Sequence, residues 1–244
     1  MAERRSAGRL KDKVALVTGA SQGIGLAIAH ALAAEGCDLV ITSRNPNNLK
    51  KANRKVAERG VRVLAQACDV SDAQSVEALF AAVKKEFGRL DVLINNAGIS
   101  HAMAPVEKLG ADVWGKVLAT NLTGMFLVTR ASLPLMGNGS TIVNNLSVAA
   151  KGTFAGESAY CASKHGALGL TNTLREEVRP KGIRVIALMP GPTDTEIWNQ
   201  FWPDAPREKM MSPETVAVAL VSALVLPANS TVEELTVMPT AGEL

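Results

Sequence analysis

The chain has 244 residues, of which 47% are hydrophobic and 20% charged, so it is long and apolar enough for one large globular domain. Its formal net charge of +3 is small, and no basic stretch is interleaved with aromatic residues, which argues against nucleic-acid binding. The longest mainly apolar stretch, residues 216–226, is too short to span a bilayer, which argues against a membrane protein.

The beginning of the chain is rich in arginine and precedes a short apolar segment. Residues 14–17 are too few for the core of a signal peptide, so residues 1–10 are predicted to be a disordered basic arm before a single domain of residues 11–244. The three cysteines lack metal-ligand spacing and the three histidines are scattered, so no metal site is expected. An odd number of unpaired cysteines favours a reducing, cytoplasmic compartment.

Short β-branched runs alternate with longer helical patterns along the chain. Strands are predicted at residues 14–18, 38–42, 61–67, 91–95, 141–146, 183–189 and 232–238. Helices are predicted at residues 23–35, 46–59, 72–87, 111–136, 158–178 and 213–226. Continuous apolar strands separated by helices indicate a parallel sheet covered on both faces, so the fold class is a doubly wound, three-layer α/β domain.

A glycine-rich turn follows the first predicted strand and opens directly into the first helix. Glycines permit a tight turn, and the unpaired N–H groups of the helix N-terminus can bind a pyrophosphate. This position favours nucleotide binding over an ordinary turn. The residues of the turn that are expected to contact a dinucleotide are Gly19, Ser21, Gln22, Gly23, Ile24 and Gly25.

The second predicted strand ends without the acidic residue that commonly binds a ribose hydroxyl in such folds. Ser43 and Arg44 stand there instead, and a hydroxyl with a guanidinium suits a 2′-phosphate. The sequence therefore predicts NADP(H) rather than NAD(H). The alternative is that Arg44 is a solvated loop charge.

The only tyrosine of the chain, Tyr160, precedes Lys164 by four residues in a predicted helix. Side chains four residues apart share a helix face, so a phenol and an ammonium group would lie side by side. A nearby cation stabilises phenolate and lowers the pKa of a tyrosine, which favours acid/base chemistry. By itself the spacing is more typical of a partly buried tyrosine beside a surface lysine.

The ordered set of motifs resembles the short-chain dehydrogenases/reductases over roughly residues 10–240. The motifs are the turn at residues 18–25, the Asn-Asn-Ala-Gly segment at 95–98, Asn121, Ser147, the Tyr160/Lys164 pair and the Pro-Gly pair at 190–191. The resemblance implies a Rossmann-type sheet of about seven strands. The C-terminal segment 231–239 is more similar to members acting on hydroxy acids or aldehydes than to 3-oxoacyl reductases.

The resemblance also implies roles for four catalytic residues. Tyr160 is expected to donate a proton to the carbonyl oxygen, and Ser147 to hydrogen-bond the same oxygen. Lys164 is expected to lower the pKa of Tyr160 and to bind the nicotinamide ribose. Asn121 is expected to hold a water of the proton relay, unless it is only a local polar residue of its helix.

Further cofactor contacts are implied by the same resemblance. Asp69, with Val70, is expected near the adenine, although residues 69–72 are equally typical of a helix N-cap. The remaining expected contacts, besides Tyr160 and Lys164 themselves, are Asn95, Ala97, Gly98, Pro190, Gly191 and Thr193.

An aromatic cluster at residues 198–202 stands within a segment, near 194–212, that is predicted to cover the substrate. The cluster is equally typical of an oligomer contact. His101 is expected to be a solvated loop residue. The predicted function is an NADP(H)-dependent oxidoreductase that interconverts a carbonyl and an alcohol.

Two other functions remain open: a non-catalytic NADP(H)-binding sensor or scaffold, and a nucleotide-sugar lyase or epimerase. The resemblance also implies a homo-oligomer, a dimer or tetramer, assembled through helices 111–136 and 158–178.

Overall fold

Seven parallel strands form the centre of the fold. The computed structural model describes residues 8–227 and 229–242. The strands are β1 (Val14–Thr18), β2 (Asp38–Ser43), β3 (Val63–Ala67), β4 (Val92–Asn95), β5 (Thr141–Asn145), β6 (Arg184–Pro190) and β7 (Glu234–Val237). Their order in the sheet is β3-β2-β1-β4-β5-β6-β7, so the predicted Rossmann-type doubly wound fold is confirmed.

Eight α-helices connect these strands in the described part of the chain. They are α1 (Gly23–Ala34), α2 (Pro46–Ala57), α3 (Ala73–Glu86), α4 (Ala111–Leu118), α5 (Gly124–Ser132), α6 (Ser158–Val178), α7 (Trp198–Phe201) and α8 (Pro213–Leu224). No helix among residues 8–227 and 229–242 is long and apolar enough to cross a membrane.

The core consists of one apolar layer on each face of the sheet. Alternate residues of β1 enter opposite layers: Val17 packs with α1, α2 and α8, whereas Leu16 packs with α3, α5 and α6. Both side chains are fully buried, and burial of each contributes roughly 1.5–3 kcal/mol. This two-sided burial explains why the strands are continuous apolar runs.

Strands β1 and β4 are direct neighbours in the sheet: β2 and β3 follow on one side of β1, and β5, β6 and β7 follow on the far side of β4. The strand order therefore reverses between β1 and β4. Val17 pairs with Ile41 of β2 on one side and with Ile94 of β4 on the other. The carboxyl ends of all strands lie at one edge, and a crevice opens beyond the reversal point. This edge holds the candidate site described below.

The predicted strands agree with the structure to within two or three residues at each end, but the predicted helix 111–136 is interrupted. Residues 119–123 form a π-helical turn between α4 and α5, and Leu133–Leu135 close the region as a 3-10 turn. A π turn inserts one residue into the helix, and such insertions are frequent at functional sites. The short helix α7 was not predicted.

Part of the predicted N-terminal arm packs against the domain. Residues 1–7 lie outside the described residues. Leu10 is 7% exposed within the core, and Arg9 pairs with Glu35 just after α1. The ordered domain therefore includes residues 8–10, because an apolar side chain and an ion pair attach them.

Candidate active site

A cleft of about 520 Å³ opens at the carboxyl edge of the sheet. The glycine turn after β1 forms one end, and Ser147, Tyr160 and Lys164 form its floor. Residues after β6 and the segment around α7 close the other side. The proposed nucleotide turn and the proposed acid/base residues therefore share one cavity.

The glycine turn has the backbone that its sequence predicts. Gly19 and Gly23 have φ values of +64° and +55°, a region that residues with a side chain rarely adopt. A Cβ atom at Gly25 would lie 2.5 Å from the Gly19 carbonyl oxygen, so only glycine fits there. Helix α1 begins without a side-chain cap, which leaves its first N–H groups available to an anion. The residues fit a dinucleotide phosphate.

Not every residue predicted in the turn reaches the cleft. Gly19, Gln22, Gly23, Ile24 and Gly25 line it, whereas Ser21 is half-buried outside the lining.

Asn96 holds the turn in place, and its side chain was not predicted as a site residue. Its Nδ2 donates to the carbonyl oxygens of Thr18 at 2.9 Å and Gly19 at 3.2 Å. Its Oδ1 accepts a 2.8 Å bond from Asn145 at the end of β5. The Asn96 side chain thus bonds the end of β1 to the end of β5, and the only signal for this role in the sequence is the position of the two asparagines at the ends of strands.

Ser147, Tyr160 and Lys164 lie together at the floor of the cleft. Ser147 follows β5, and its hydroxyl lies close enough to the phenol of Tyr160 to act to lower the pKa of that group. Lys164, one turn further along α6, places its Nζ 5.5 Å from the centroid of the Tyr160 ring. The same Nζ donates to the Asn145 carbonyl at 3.0 Å. Strand β5 and helix α6 thus bring the three predicted residues to one point.

Burial dominates the proton affinities of this pair. It raises the pKa of Tyr160 to about 12, against the opposing effect of the Ser147 hydrogen bond. It lowers the pKa of Lys164 to about 8, because the charged ammonium is only 5% exposed. Burial is thus the largest influence on the pKa of Tyr160, and a lowering of that pKa by Lys164 stays a prediction.

Asn121 lies in the π turn and joins two elements of the site. Its Oδ1 accepts from the Ile99 N–H at 2.8 Å, and its Nδ2 donates to the Ile99 carbonyl at 2.9 Å and to Ser163 Oγ at 3.0 Å. Ser163 in turn donates to the Tyr160 carbonyl at 2.7 Å. The side chain is 1% exposed and fixes the loop after β4 against α6, outside the cleft lining.

Arg44 and Asp69 follow the neighbouring strands β2 and β3. Arg44 is exposed, and among the described residues it forms no salt bridge. Partial burial acts to raise the pKa of Asp69, but hydrogen bonds from Ser71 and the charge of Arg44 lower it. Ser43 donates its hydroxyl to the Asn45 carbonyl at 3.2 Å. Ser43, Arg44 and Asp69 all lie outside the cleft lining, beyond its nucleotide end.

Of residues 69–72, it is Asp72 that caps the next helix. Asp72 is the N-cap of α3, and its side chain accepts a 3.1 Å hydrogen bond from the Gln74 N–H. Asp69 accepts from the Ser71 N–H and hydroxyl at 3.0 and 2.6 Å. Val70 is buried, and its side chain fills the space beside Gly124.

Residues 95–98, at the end of β4 and beyond it, have two roles: some support the sheet and others line the cleft. Asn95 is buried and donates to Thr129 and Asn144, each at 2.9 Å, so its side chain supports the sheet. The Ala97 N–H donates to Thr18 Oγ1 at 2.9 Å. Gly98 lines the cleft, and a Cβ atom there would lie 3.5 Å from Asn121 Oδ1.

The residues predicted after β6 all line the cleft: Pro190, Gly191 and Thr193. Gly191 donates its N–H to Val237 at 2.8 Å, and Met238 occupies the space that a side chain would need. Thr193 donates to the Gly191 carbonyl at 2.9 Å and pairs with Met211.

The aromatic cluster at residues 198–202 forms one wall of the cleft. The ring centroid of Trp198 lies 5.0 Å from that of Phe201 and 6.5 Å from that of Trp202. Trp198 Nε1 donates to the Thr193 carbonyl at 2.8 Å, which orients the indole. Phe154 and Met103 line the cleft as well. The substrate end of the cavity is therefore largely apolar.

Two buried polar residues near this end were not predicted. Glu157 is 0% exposed and lines the cleft, and His101 is 6% exposed. The expectation of a solvated His101 is wrong, because the loop after β4 folds under the segment that precedes α6. The sequence carries little signal for either residue, since charged and polar side chains in loops are usually exposed.

Comparison with known proteins places the chain in a family. The profile of the short chain dehydrogenase family matches residues 13–206. D-threitol dehydrogenase of Mycolicibacterium smegmatis is 41% identical over 202 residues, which cover 82% of this chain and 76% of that protein. 3beta-hydroxysteroid dehydrogenase of Mediterraneibacter gnavus is 40% identical over 191 residues, covering 78% of this chain and 69% of that protein.

A solved structure agrees along nearly the whole chain. The alcohol dehydrogenase of the archaeon Thermococcus sibiricus, in complex with 5-hydroxy-NADP, superposes with a TM-score of 0.89 at 31% identity. The match covers 95% of this chain and 98% of that one. The chain belongs to the short-chain dehydrogenase/reductase family of oxidoreductases.

Proposed function

We propose that the protein is an NADP(H)-dependent oxidoreductase that reduces a carbonyl to an alcohol, or catalyses the reverse reaction. The observation that carries this proposal is the shared cleft: Ser147, Tyr160 and Lys164 lie on its floor, and the glycine turn forms its end. A protein that only bound a dinucleotide would have no need of a phenol and a hydroxyl group converging beside a buried ammonium.

The cofactor, when bound, supplies or accepts the hydride, so the chain has to orient the carbonyl and move one proton. Tyr160 is protonated at neutral pH, since burial raises its pKa to about 12, and it can therefore act as the general acid for reduction. Ser147, which lines the cleft beside the phenol, contacts the same substrate oxygen and stabilises developing negative charge there.

Lys164 and Asn121 support the proton transfer by the Tyr160 phenol. The Lys164 ammonium, held by the Asn145 carbonyl, hydrogen-bonds the nicotinamide ribose and stabilises phenolate after the proton has left Tyr160. Asn121, through Ile99 and Ser163, fixes the loop and the helix between which a relay water would be held.

The preference for NADP(H) over NAD(H) rests on Ser43 and Arg44. An exposed guanidinium that has no ion-pair partner in the described part of the chain is suited to a phosphate, to which it can donate two parallel hydrogen bonds. Asp69, whose carboxylate the charge of Arg44 stabilises, lies near the same place and is suited to the adenine amino group. The NADP derivative bound to the solved archaeal relative supports this assignment.

We also infer a homo-oligomer, assembled through the face of α4, α5 and α6. Trp114 and Phe126 are 40% and 43% exposed on α4 and α5, which is unusual for large apolar side chains of a monomer. Light scattering tests this proposal: a mass of twice or four times that of the chain is expected, and a monomeric mass contradicts it.

A direct test of the main proposal follows NADPH absorbance while the protein is supplied with a panel of ketones and aldehydes. Oxidation of NADPH with at least one carbonyl is expected. Tight NADPH binding without turnover on any of them would instead support the second candidate, a sensor or scaffold. Binding is measured separately by calorimetry, so loss of binding and loss of chemistry are distinguished.

A further inference from the structure

A polar cluster lies at the substrate end of the cleft, formed by Ser100, His101 and Glu157. Their relative exposures are 8%, 6% and 0%. Ser100 and His101 belong to the loop after β4, and Glu157 immediately precedes α6. Ser100 and Glu157 both line the cleft, where the surrounding wall is mostly aromatic and aliphatic.

The hydrogen bonds of this cluster are incomplete among the described residues. Ser100 Oγ donates to Glu157 Oε2 at 2.9 Å. The other carboxyl oxygen, Glu157 Oε1, is buried and has no partner. A buried carboxyl oxygen without a donor is costly, by about 1–3 kcal/mol, and native proteins normally supply a partner. A donor from outside the chain would satisfy it.

His101 does not supply that donor. The distance from His101 Nδ1 to the Ala102 carbonyl is 2.8 Å, which requires the ring hydrogen on Nδ1 in a neutral imidazole. Nε2 then carries a lone pair and is itself buried without a partner. When Glu157 is ionised and the His101 ring is neutral, the cluster therefore presents acceptors on two sides and lacks a donor.

Glu157 stands close to the reacting position. It precedes Tyr160 by three residues at the start of α6, and residues three apart lie on the same side of a helix. It lines the same cleft as Tyr160. Burial raises the pKa of the Glu157 carboxyl to about 7, so the group is an ionised acceptor above neutral pH. A substituent on the carbon next to a carbonyl held by Tyr160 can enter the part of the cleft that Glu157 lines.

We propose that Glu157 is a specificity-determining residue that accepts a hydrogen bond from a hydroxyl group on the carbon beside the reacting carbonyl. The preferred substrates are then α-hydroxy carbonyl compounds with an apolar body, and the corresponding alcohols are vicinal diols. This inference rests on the proposed function, because Tyr160 and Ser147 place the carbonyl. Ser100 supports it by giving its only hydrogen to Oε2, which leaves Ser100 as an acceptor too.

The walls of the cleft are suited to the rest of such a substrate. Trp198, Phe154 and Met103 offer an apolar surface for an aryl or alkyl group on the other side of the carbonyl. A hydroxyl group placed against this surface would lose its hydration without replacement, whereas near Glu157 it would gain an acceptor. The cleft thus distinguishes the two sides of an asymmetric ketone.

The test compares phenacyl alcohol with its methyl ether, two ketones of similar reactivity of which only the first can donate. At a pH about one unit or more above the pKa of about 7 that burial gives Glu157, kcat/KM of the native protein is expected to be about tenfold or more higher for the alcohol, the effect of one hydrogen bond to a charged group. In Glu157→Gln the amide oxygen can still accept from Ser100, but an NH₂ group faces the cleft. The preference is therefore expected to vanish, and the ratio of the two kcat/KM values is the measure of it, because any effect of the lost charge on Tyr160 is common to both ketones.

Two further variants complete the experiment. Glu107→Gln removes an exposed carboxylate from the 3-10 turn after the same loop and is expected to keep the native preference. Glu157→Asp retains the charge but withdraws it by one methylene group, so it is expected to reduce the preference. It serves in place of Glu157→Gln if that variant fails to fold. Equal loss of rate on both ketones, or an unchanged preference in Glu157→Gln, would overturn the inference.

A second measurement does not depend on turnover. Phenylethane diol is expected to raise the Tm of the NADP⁺-loaded protein more than its monomethyl ether does, and Glu157→Gln is expected to abolish the difference. If the native protein reduces neither ketone yet distinguishes the two alcohols, the proposed reaction is wrong and the hydroxyl site stands. If both ketones are reduced equally well and the alcohols bind equally, the reaction stands and the hydroxyl site is wrong.

Discussion

Asn145 and Asn96 join the two halves of the site through a 2.8 Å hydrogen bond between their side-chain amides. Asn96 continues to the carbonyls of Thr18 and Gly19, and the Asn145 carbonyl accepts from Lys164. An unbroken hydrogen-bonded path therefore connects the nucleotide turn to the acid/base pair. The Asn96 amide cannot donate to a ligand without weakening this path.

Replacement of Asn96 by alanine removes the bonds to the turn and to Asn145. We expect the free energy of unfolding to fall by about 1–3 kcal/mol, because buried carbonyls lose their donors. The KM for NADPH should rise more than the KM for the carbonyl, since the turn is what loosens. Urea unfolding and steady-state kinetics measure both effects. Asn47→Ala, an exposed site on α2, serves as the control, and an unaltered KM for NADPH would refute the role of Asn96.

Replacement of Tyr160 by phenylalanine removes the proton donor but keeps the ring. We expect NADPH to bind as before, while the rate of carbonyl reduction falls by about 10²-fold or more, the usual effect of losing a general acid. Calorimetry measures the binding of NADPH, and single-turnover absorbance measures the rate of carbonyl reduction. Retained turnover would show that another group donates the proton.

Replacement of Lys164 by methionine is expected to abolish activity and yet stabilise the protein without ligands. Burial lowers the pKa of Lys164 to about 8, below the value of about 10.4 in an unfolded chain, so its charge opposes folding. Removal of the charge should raise the free energy of unfolding by about 1–3 kcal/mol at neutral pH, after the lost bond to Asn145 is included.

The advantage of Lys164→Met depends on pH with a defined sign. The unfavourable charge is fully present below pH about 8 and disappears as the pH rises toward the unfolded pKa of about 10.4. The native protein and the variant should therefore converge in stability at alkaline pH. Lys116→Met, at an exposed position of α4, should show no such convergence. A destabilised Lys164→Met at neutral pH would contradict the argument.

Replacement of Arg44 by glutamine tests the cofactor preference. We expect the KM for NADPH to rise by about tenfold or more, the effect of losing a hydrogen-bonded charge, and the KM for NADH to change little. The ratio of the two kcat/KM values is the decisive measurement. Arg54→Gln on the exposed face of α2 is the matched control. If the KM values for NADPH and NADH rise equally, Arg44 does not bind the 2′-phosphate.

The sheet and the central residues of the site could be predicted from the sequence because each has a local signature. Apolar strands buried on both faces, such as β1 and most of β6, are continuous hydrophobic runs bounded by turns. The spacing of Tyr160 and Lys164 fixes their relation on α6 whatever surrounds them.

The features that could not be predicted depend on contacts distant in the sequence. The π turn around Asn121 leaves the apolar periodicity nearly intact, so residues 111–136 resemble a single helix. Glu157 and His101 are buried only because the loop after β4 meets the start of α6. The pKa of Tyr160, which burial raises, likewise depends on surroundings that its spacing from Lys164 does not indicate.

The segment between Thr193 and Met211 leaves and rejoins the fold at one place, because these two residues pair directly. Within it, Arg207 donates to Asp194, to the Thr195 carbonyl and to Asn199, so the segment is held together by its own bonds. Insertions or deletions between these ends would change the aromatic wall without displacing β6 or α8. Substrate range can therefore diverge among homologous enzymes through the length of this segment alone, while the positions of the proton-transfer residues stay the same.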